Sequence, residues 1–282
     1  MSRTETRQGR STHGRPEPLI RRTPGERLRA LPRSVIWFVG AVAFTIAAGL
    51  VLFPLAAVMR PERRYWIFAY GWSFPLLHWT RLAAGIRWEV EGEGHIPERP
   101  CVIMAKHQSA WETIGLQLWF NPQSWVLKRE LLHLPLVGWA LRMIEPIAID
   151  RGARRQAMAQ LLEQGAERLA AGRWVMIYPE GTRIPAGRSV PYRRGGALLA
   201  WETGYPVIPV AHNAGEVWPR NGFLKYPGTI RVCIGPPMVP REEETPEAFL
   251  ERIRQWIEGR MRAISTVYEA PEQATEAESG KD

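Results

Sequence analysis

Two short segments of this sequence carry residue types that could perform acid–base chemistry. The first is His107-Gln-Ser-Ala-Trp-Glu112, which follows the apolar run Val102–Ala105. If Ser109 is the N-cap of the helix that follows, His107 lies before the helix and can fold over its first turn. Glu112 could then accept a hydrogen bond from one ring nitrogen of His107 and leave the other nitrogen as a general base. The segment therefore predicts a catalytic histidine–carboxylate pair.

The same spacing also has a purely structural interpretation. Ser109-Ala-Trp-Glu112 is an S-x-x-E capping box, in which Glu112 would accept only the backbone N–H of Ser109. On this pair of residues alone, catalysis and helix capping both stay open.

The second segment is Pro179-Glu-Gly-Thr-Arg183, which follows the β-rich run Trp174–Tyr178. Its glycine permits a close backbone approach, and its arginine can bind a phosphate through two parallel hydrogen bonds. Other basic residues lie at predicted element ends: Lys106, Arg151, Arg188, Arg193 and Arg194. Open α/β sheets bind ligands at the carboxyl ends of their strands, so this group of cations predicts an anionic substrate.

The scaffold that positions these residues is predicted by alternating β-rich and helical patterns over residues 85–266. The predicted strands are Ile86–Val90, Cys101–Ala105, Ser124–Leu127, Pro146–Ile149, Trp174–Tyr178, Pro206–Val210 and Thr229–Ile234. Two helices are clearest, one over Ala153–Ala171 and one that Thr245 caps and Pro246 begins. We expect a single α/β domain with a mostly parallel or mixed sheet flanked by helices.

An uncharged segment precedes this domain. Val35–Met59 contains no charged residue and is long enough to cross a bilayer core of about 30 Å as a tilted helix. Its length and its flanking arginines favour membrane association over a cleaved signal peptide or a buried core helix. The aromatic-rich segment Tyr65–Thr80 predicts either the return of a hairpin in one leaflet or an interfacial helix after a span. We expect residues 35–84 to form a membrane anchor outside the catalytic core.

Charge and composition limit the remaining classes. The net charge of +9 suits nucleic acid, anionic lipid or a phosphorylated substrate. Residues 1–34 hold much of the positive charge and residues 267–282 are acidic, which weakens the case for nucleic acid. Both ends are rich in charge and poor in large apolar residues, so we predict that they are disordered. The widely separated Cys101 and Cys233 predict a reducing compartment.

Four blocks, in order, resemble those of the 1-acylglycerol-3-phosphate acyltransferase family of membrane-associated glycerolipid enzymes. His107–Glu112 resembles the family's H-x-x-x-x-D block, and Lys128–Arg151 resembles a second block that ends in a basic residue. Tyr178–Arg183 is similar to the E-G-T-R block, and Val207–Val210 to a proline-containing fourth block. Two positions depart from the family pattern. The acid is Glu where the family usually has Asp, and Lys106 stands where Asn often precedes the histidine.

The resemblance implies transfer of an acyl chain from acyl-CoA or acyl carrier protein to the sn-2 hydroxyl of lysophosphatidate, giving phosphatidic acid. No metal and no organic cofactor would take part. His107 would remove the proton of the acceptor hydroxyl, and Glu112 would support the imidazolium. The expected substrate-binding residues are Lys106, Arg151, Glu180, Gly181, Thr182, Arg183 and Arg194, with Arg183 and Arg151 on the acceptor phosphate.

The resemblance also implies a location and partners. The catalytic domain would face the cytoplasm from the membrane, the inner membrane in a bacterium, and would contact anionic lipid but no nucleic acid. Two alternatives remain: a sister acyltransferase acting on another lysolipid or on glycerol 3-phosphate, and a non-catalytic basic protein that binds lipid at the membrane surface. A metal hydrolase and a serine hydrolase are disfavoured, because the sequence has no H-E-x-x-H and no G-x-S-x-G motif.

Overall fold

The structure is a computed structural model that describes residues 20–134, 137–150 and 152–268. Its strands are β1 (Ile86–Glu91), β2 (Val102–Ala105), β3 (Gln123–Lys128), β4 (Ile147–Ile149), β5 (Trp174–Ile177), β6 (Val207–His212) and β7 (Gly228–Ile234). They form a seven-stranded sheet in the order β1-β7-β6-β2-β5-β3-β4. Neighbouring strands are parallel except β6 and β7, which are antiparallel. The seven predicted strands and the mixed α/β architecture are confirmed.

The helices account for most of the remaining described chain. They are α1 (Pro24–Ala57), α2 (Pro61–Phe68), α3 (Phe74–Trp79), α4 (Trp111–Gly115), α5 (Val137–Met143), α6 (Arg154–Ala170), α7 (Gly195–Thr203), α8 (Ala214–Val217) and α9 (Pro246–Ile264). The π-helical turns Ala69–Ser73 and Thr80–Ala84 make residues 61–84 one nearly continuous helical segment. Helices α6 and α9 confirm the two clearest helix predictions, and the Thr245 side chain caps α9 as expected.

The central strands separate two hydrophobic cores. Because successive strand residues point to opposite faces of the sheet, Ile103 and Ala105 of β2 face one core while Val102 and Met104 face the other. The N-terminal helices and α4 cover the first face, and α6, α7 and α9 cover the second. Both faces of β2 are therefore buried, which explains why the strand reads as a continuous apolar run.

Helix α1 begins earlier than the sequence analysis placed it. Thr23 and Glu26 form a reciprocal capping box, and Pro24 occupies the first turn. Residues 24–34, which we assigned to the disordered basic head, are therefore helical. Residues 1–19 of that head, and residues 269–282 of the acidic tail, lie outside the described part of the chain.

The N-terminal helices form a hairpin. Trp72 of the second segment donates a hydrogen bond from Nε1 to Thr45 Oγ1 of α1 at 3.1 Å. Gly40 of α1 is covered by the indole of Trp79, where a Cβ atom would come within 2.4 Å of the ring. The order of these contacts is antiparallel. The outer face of α1 remains apolar and exposed, as Leu50 shows at 74% exposure, and the helix is long and apolar enough to cross a membrane. Such a surface is typical of membrane association.

The hairpin also packs on the sheet, which differs from the anchor outside the catalytic core that we expected. Trp37 and Ala41 of α1 are buried in the same core as Ile103 of β2. The Trp37 indole donates to Thr80 Oγ1 at 2.8 Å. Removing residues 1–84 would therefore uncover one face of the sheet.

Candidate active site

His107 and Glu112 meet at the carboxyl end of β2. His107 Nδ1 lies 2.8 Å from Glu112 Oε1, and the same oxygen accepts the backbone N–H groups of Gln108 at 2.9 Å and Ser109 at 2.8 Å. The Glu112 carboxylate therefore does both things that the sequence left open: it binds the His107 ring, and it caps the backbone before the helix. Helix α4 begins at Trp111, one residue later than a Ser109 cap predicts, although Ser109 Oγ still accepts the Trp111 N–H.

The surroundings of Glu112 determine which nitrogen of His107 carries a proton. Burial alone raises the pKa of Glu112, but the neighbouring His212, His107 and the Ser109 N–H outweigh it, so the pKa lies below its usual value. An ionised carboxylate only accepts hydrogen bonds, so His107 Nδ1 must be the donor. Nε2 is then the nitrogen that can accept a proton, as a general base requires.

The loop after β5 holds His107 from three directions. The Tyr178 ring stacks on the imidazole, with 3.9 Å between ring centroids and 14° between planes. Glu180 Oε2 accepts the His107 backbone N–H at 2.6 Å, and the Ile184 backbone N–H donates to the His107 carbonyl at 2.7 Å. The imidazole and both of its flanking peptide groups are therefore positioned by residues 178–184.

Lys106 points away from the cleft, which differs from the substrate contact that the sequence suggested. Its fully buried ammonium lies 2.8 Å from Glu180 Oε1 and 2.9 Å from Glu258 Oε1 of α9. Tyr268 also accepts a hydrogen bond from it at 3.0 Å. The reason is the strand alternation, because Lys106 continues the row of Met104 toward the face that α9 covers. Lys106 and Glu180 thus hold the backbone around His107.

His212, at the end of β6, lies behind the His107–Glu112 pair. Its Nε2 is 2.7 Å from the Lys106 carbonyl, and its Nδ1 accepts the Ala214 N–H at 3.3 Å. Burial lowers the pKa of His212, so the neutral ring with a proton on Nε2 satisfies both contacts. No motif pointed to this histidine, which ties β6 to β2 beneath the site.

A cleft of about 260 Å³ opens beside His107, whose side chain is 14% exposed. Its lining residues are His107, Gly181, Thr182, Arg183, Arg220 and Asn221. The structure thus brings together the histidine and the loop arginine that the sequence analysis expected at one crevice. The Nε atom of Arg183 is buried and has no hydrogen-bond partner among the described residues. Such groups are costly to leave unpaired, so this guanidinium is suited to receive an anionic ligand.

Gly181 is required at its position by two constraints. Its φ of 69° lies in the left-handed region, and a Cβ atom there would come within 2.6 Å of Arg193 Nε. Any side chain would therefore strain the turn and displace Arg193. This turn directs the Thr182 and Arg183 side chains to the cleft.

Among the predicted substrate contacts, Arg194, like Lys106, lies away from the cleft in the described structure. Arg194 lies at the start of α7, is 61% exposed and approaches Glu247 of α9 at 3.8 Å. Arg151 lies outside the described residues. Conversely, Arg220 and Asn221 belong to no motif that we recognised. The order of β2 and β6 in the sheet, which brings their carboxyl ends together, was needed to find them.

Comparison with known proteins agrees with this geometry. Residues 87–213 match the family model described as Acyltransferase. Over 238 residues the chain is 47% identical to a 1-acyl-sn-glycerol-3-phosphate acyltransferase of Pseudomonas aeruginosa, covering 83% of this chain and 92% of that protein. The chain belongs to the 1-acyl-sn-glycerol-3-phosphate acyltransferase family. The resemblance of the four sequence blocks is therefore confirmed.

More distant members of this family are also similar to the chain. The human 1-acyl-sn-glycerol-3-phosphate acyltransferase alpha is 31% identical over 197 residues, which are 68% of this chain and 69% of that protein. The crystal structure of the 1-acyl-sn-glycerophosphate (LPA) acyltransferase PlsC from Thermotoga maritima superimposes with a TM-score of 0.70 at 21% identity. That alignment covers 84% of this chain and 97% of that chain, and it shows a shared fold that includes more than the 87–213 match.

Proposed function

We propose that this protein transfers an acyl chain from a thioester to the sn-2 hydroxyl of lysophosphatidate, giving phosphatidic acid. The 47% identical relative carries this activity in its name. The observation that carries the proposal in this chain is the 2.8 Å contact of His107 Nδ1 with Glu112, beside a cleft that also holds Arg183. A base and a guanidinium that has no partner among the described residues, both in one cleft, suit a substrate with a hydroxyl and a phosphate.

The proposed reaction uses His107 in the form that carries its proton on Nδ1 and leaves Nε2 free. Nε2 takes the proton of the acceptor hydroxyl as its oxygen attacks the thioester carbonyl. The Glu112 carboxylate stabilises the imidazolium that forms. The tetrahedral intermediate then collapses, the carbon–sulfur bond breaks, and the thiolate leaves with the proton returned by the imidazolium. Positioned acid–base catalysis of this kind contributes roughly 10²–10⁴-fold, and holding the two substrates together supplies further acceleration.

The phosphate of the acceptor is bound by Arg183, with Thr182 next to it. Glu180 and Gly181 support the site without touching the phosphate. Glu180 holds the His107 backbone, and Gly181 permits the turn that precedes Arg183. The donor is acyl-CoA or acyl carrier protein. Arg151 stays a prediction that rests on the resemblance of the second block.

We also place the catalytic domain on the cytoplasmic side of the membrane, in contact with anionic lipid. Arg29 and Arg33 of α1 and Arg81 near the end of the second segment lie at the open end of the hairpin, which joins the catalytic domain, and the positive-inside rule favours the cytoplasm for that end. Both cysteines are free and buried, consistent with a reducing compartment. The experiment is protease accessibility of residues 85–266 in sealed inside-out and right-side-out vesicles. Cleavage from the periplasmic side alone would contradict this orientation.

The activity itself is tested with the purified full chain, labelled acyl-CoA and acyl carrier protein donors, and a panel of acceptors resolved by product mass. Phosphatidic acid should be the main product from lysophosphatidate, and His107→Ala should abolish its formation. Preferred acylation of glycerol 3-phosphate or another lysolipid would instead indicate a sister acyltransferase. Lipid binding without transfer to any acceptor would indicate a non-catalytic membrane-surface protein.

A further inference from the structure

A second arginine lines the cleft of His107 and Arg183. Arg220 belongs to the 218–227 loop, which connects α8 to β7. Its side chain is half-buried, and within the described structure it has neither an ion-pair partner nor a hydrogen-bond partner. It lies beyond residues 87–213, so the family model that covers the other lining residues His107 to Arg183 does not include it.

A tight turn determines where Arg220 is held. The Gly222 N–H donates to the Pro219 carbonyl at 3.1 Å, and Asn221 has a φ of 54°. Asparagine adopts this left-handed conformation more readily than most residues. The turn therefore holds Arg220 and Asn221 at the tip of the loop, facing the 181–183 turn across the cleft.

The 218–227 loop is attached to the membrane-associated helix on both sides of this turn. Before it, the Trp218 ring meets the Trp37 ring of α1 edge-on at 4.8 Å. After it, the Lys225 N–H donates to Ser34 Oγ at 2.9 Å, and the Lys225 ammonium lies 4.0 Å from the centre of the Trp37 ring. Helix α1 thus forms one wall against which the loop is held.

The charge of the cleft is unbalanced. The charged side chains among its lining residues are Arg183 and Arg220, and no carboxylate is among them. A phosphate monoester carries between one and two negative charges near neutral pH and can accept bidentate contacts from more than one guanidinium. A phosphodiester carries a single charge and has one of its oxygens blocked by a substituent.

We propose that Arg220 is a second contact for the acceptor phosphate, opposite Arg183, and that α1 sets its position through the 218–227 loop. This inference rests on the proposed function. It makes Arg220 a specificity-determining residue, because two guanidinium groups on one phosphate favour a terminal monoester over the diester of other lysolipids.

The test is steady-state kinetics of the full-length protein, with lysophosphatidate and the donor varied separately. Arg220→Ala should raise the KM for lysophosphatidate by roughly 10–100-fold, the loss expected for a hydrogen-bonded charge pair, with the donor KM unchanged. Inorganic phosphate should become a correspondingly weaker competitive inhibitor. The KM of Arg220→Lys for lysophosphatidate should lie between those of the wild type and Arg220→Ala, since lysine keeps the charge but not the bidentate geometry. Arg262→Ala, an exposed arginine on α9 across the sheet, serves as the matched control and should behave as wild type.

The role of α1 is tested by a double-mutant cycle. Lys225→Met keeps the length of the side chain but removes the ammonium over Trp37, and it should raise the lysophosphatidate KM alone. If Lys225 acts through Arg220, combining it with Arg220→Ala should add little further loss. If the losses caused by Lys225→Met and Arg220→Ala are fully additive, the proposal that α1 positions Arg220 through the 218–227 loop is overturned. An unchanged lysophosphatidate KM in Arg220→Ala, or an equal rise in the donor KM, would overturn the contact itself. Failure of the wild-type protein to acylate lysophosphatidate would instead refute the proposed function.

Discussion

Glu112 uses one oxygen, Oε1, to bind His107 Nδ1 and the two backbone N–H groups that precede helix α4, while its buried Oε2 has no hydrogen-bond partner in the part of the chain that the structure describes. Glu112, which orients the base His107, therefore also caps the N-terminus of the helix. Helix capping and catalytic positioning cannot be separated by removing the side chain, but they can be separated by removing its charge.

Glu112→Gln makes that separation. An amide oxygen at the position of Oε1 can keep all three hydrogen bonds, so the melting temperature should fall only modestly. A neutral amide does not stabilise the imidazolium, so kcat should fall roughly a hundredfold or more. Glu112→Asp should retain more activity, and Glu98→Gln, at an exposed site, should match wild type in both assays. Near-normal turnover in Glu112→Gln would show that the residue is only a cap.

Arg183→Ala tests the phosphate contact proposed for the E-G-T-R loop. Because its buried Nε has no hydrogen-bond partner within the described residues, the substitution breaks no described ion pair and should leave stability almost unchanged. The KM for lysophosphatidate should rise roughly 10–100-fold while the donor KM stays constant. Lysine should rescue only in part. Parallel losses of stability and donor affinity would indicate a structural role for Arg183.

Lys106→Met tests the buried ion cluster behind His107. The change leaves Glu180 and Glu258 buried without their cation, which typically costs about 3–5 kcal/mol of unfolding free energy. Adding Glu258→Gln should recover part of that loss in chemical denaturation. Lys128→Met, which breaks an exposed pair with Glu130, should cost under about 1 kcal/mol. Comparable effects at Lys106 and Lys128 would show that the buried cluster contributes little.

Glu180 should make stability depend on pH. Burial raises its pKa to about 7, against the opposing effects of Lys106 and the His107 N–H. Since this folded-state pKa lies above the unfolded value, the contribution of Glu180 is largest at low pH and is lost as pH rises toward about 7. Glu180→Gln imitates the protonated form and can still accept the His107 N–H. Its unfolding free energy relative to wild type should therefore be less favourable near pH 5 than near pH 8, and a constant difference would contradict this assignment.

The sequence alone determined the features that depend on short stretches of chain. The strands were predictable because each is a run of apolar residues between polar turns, and α9 because Thr245 and Pro246 mark its start. The His107–Glu112 pair was predictable because its members are five residues apart and flank one helix start. The start of α1 was also encoded locally, in the Thr23–Glu26 capping box, but the high charge of this segment drew our interpretation toward disorder.

Only the tertiary structure decided which distant groups meet. Lys106 was predicted to lie in the cleft. Its partner Glu258 belongs to α9, 152 residues later, on the face of the sheet opposite the N-terminal helices. Arg220 reaches the cleft because β6 lies beside β2, and strand order is not written in any local pattern. The burial of Trp37 against the sheet likewise depends on contacts between distant parts of the chain. Hydrophobic burial is non-directional, so an apolar segment specifies that it will be covered, whereas the partner that covers it is selected only by the packing of the whole chain.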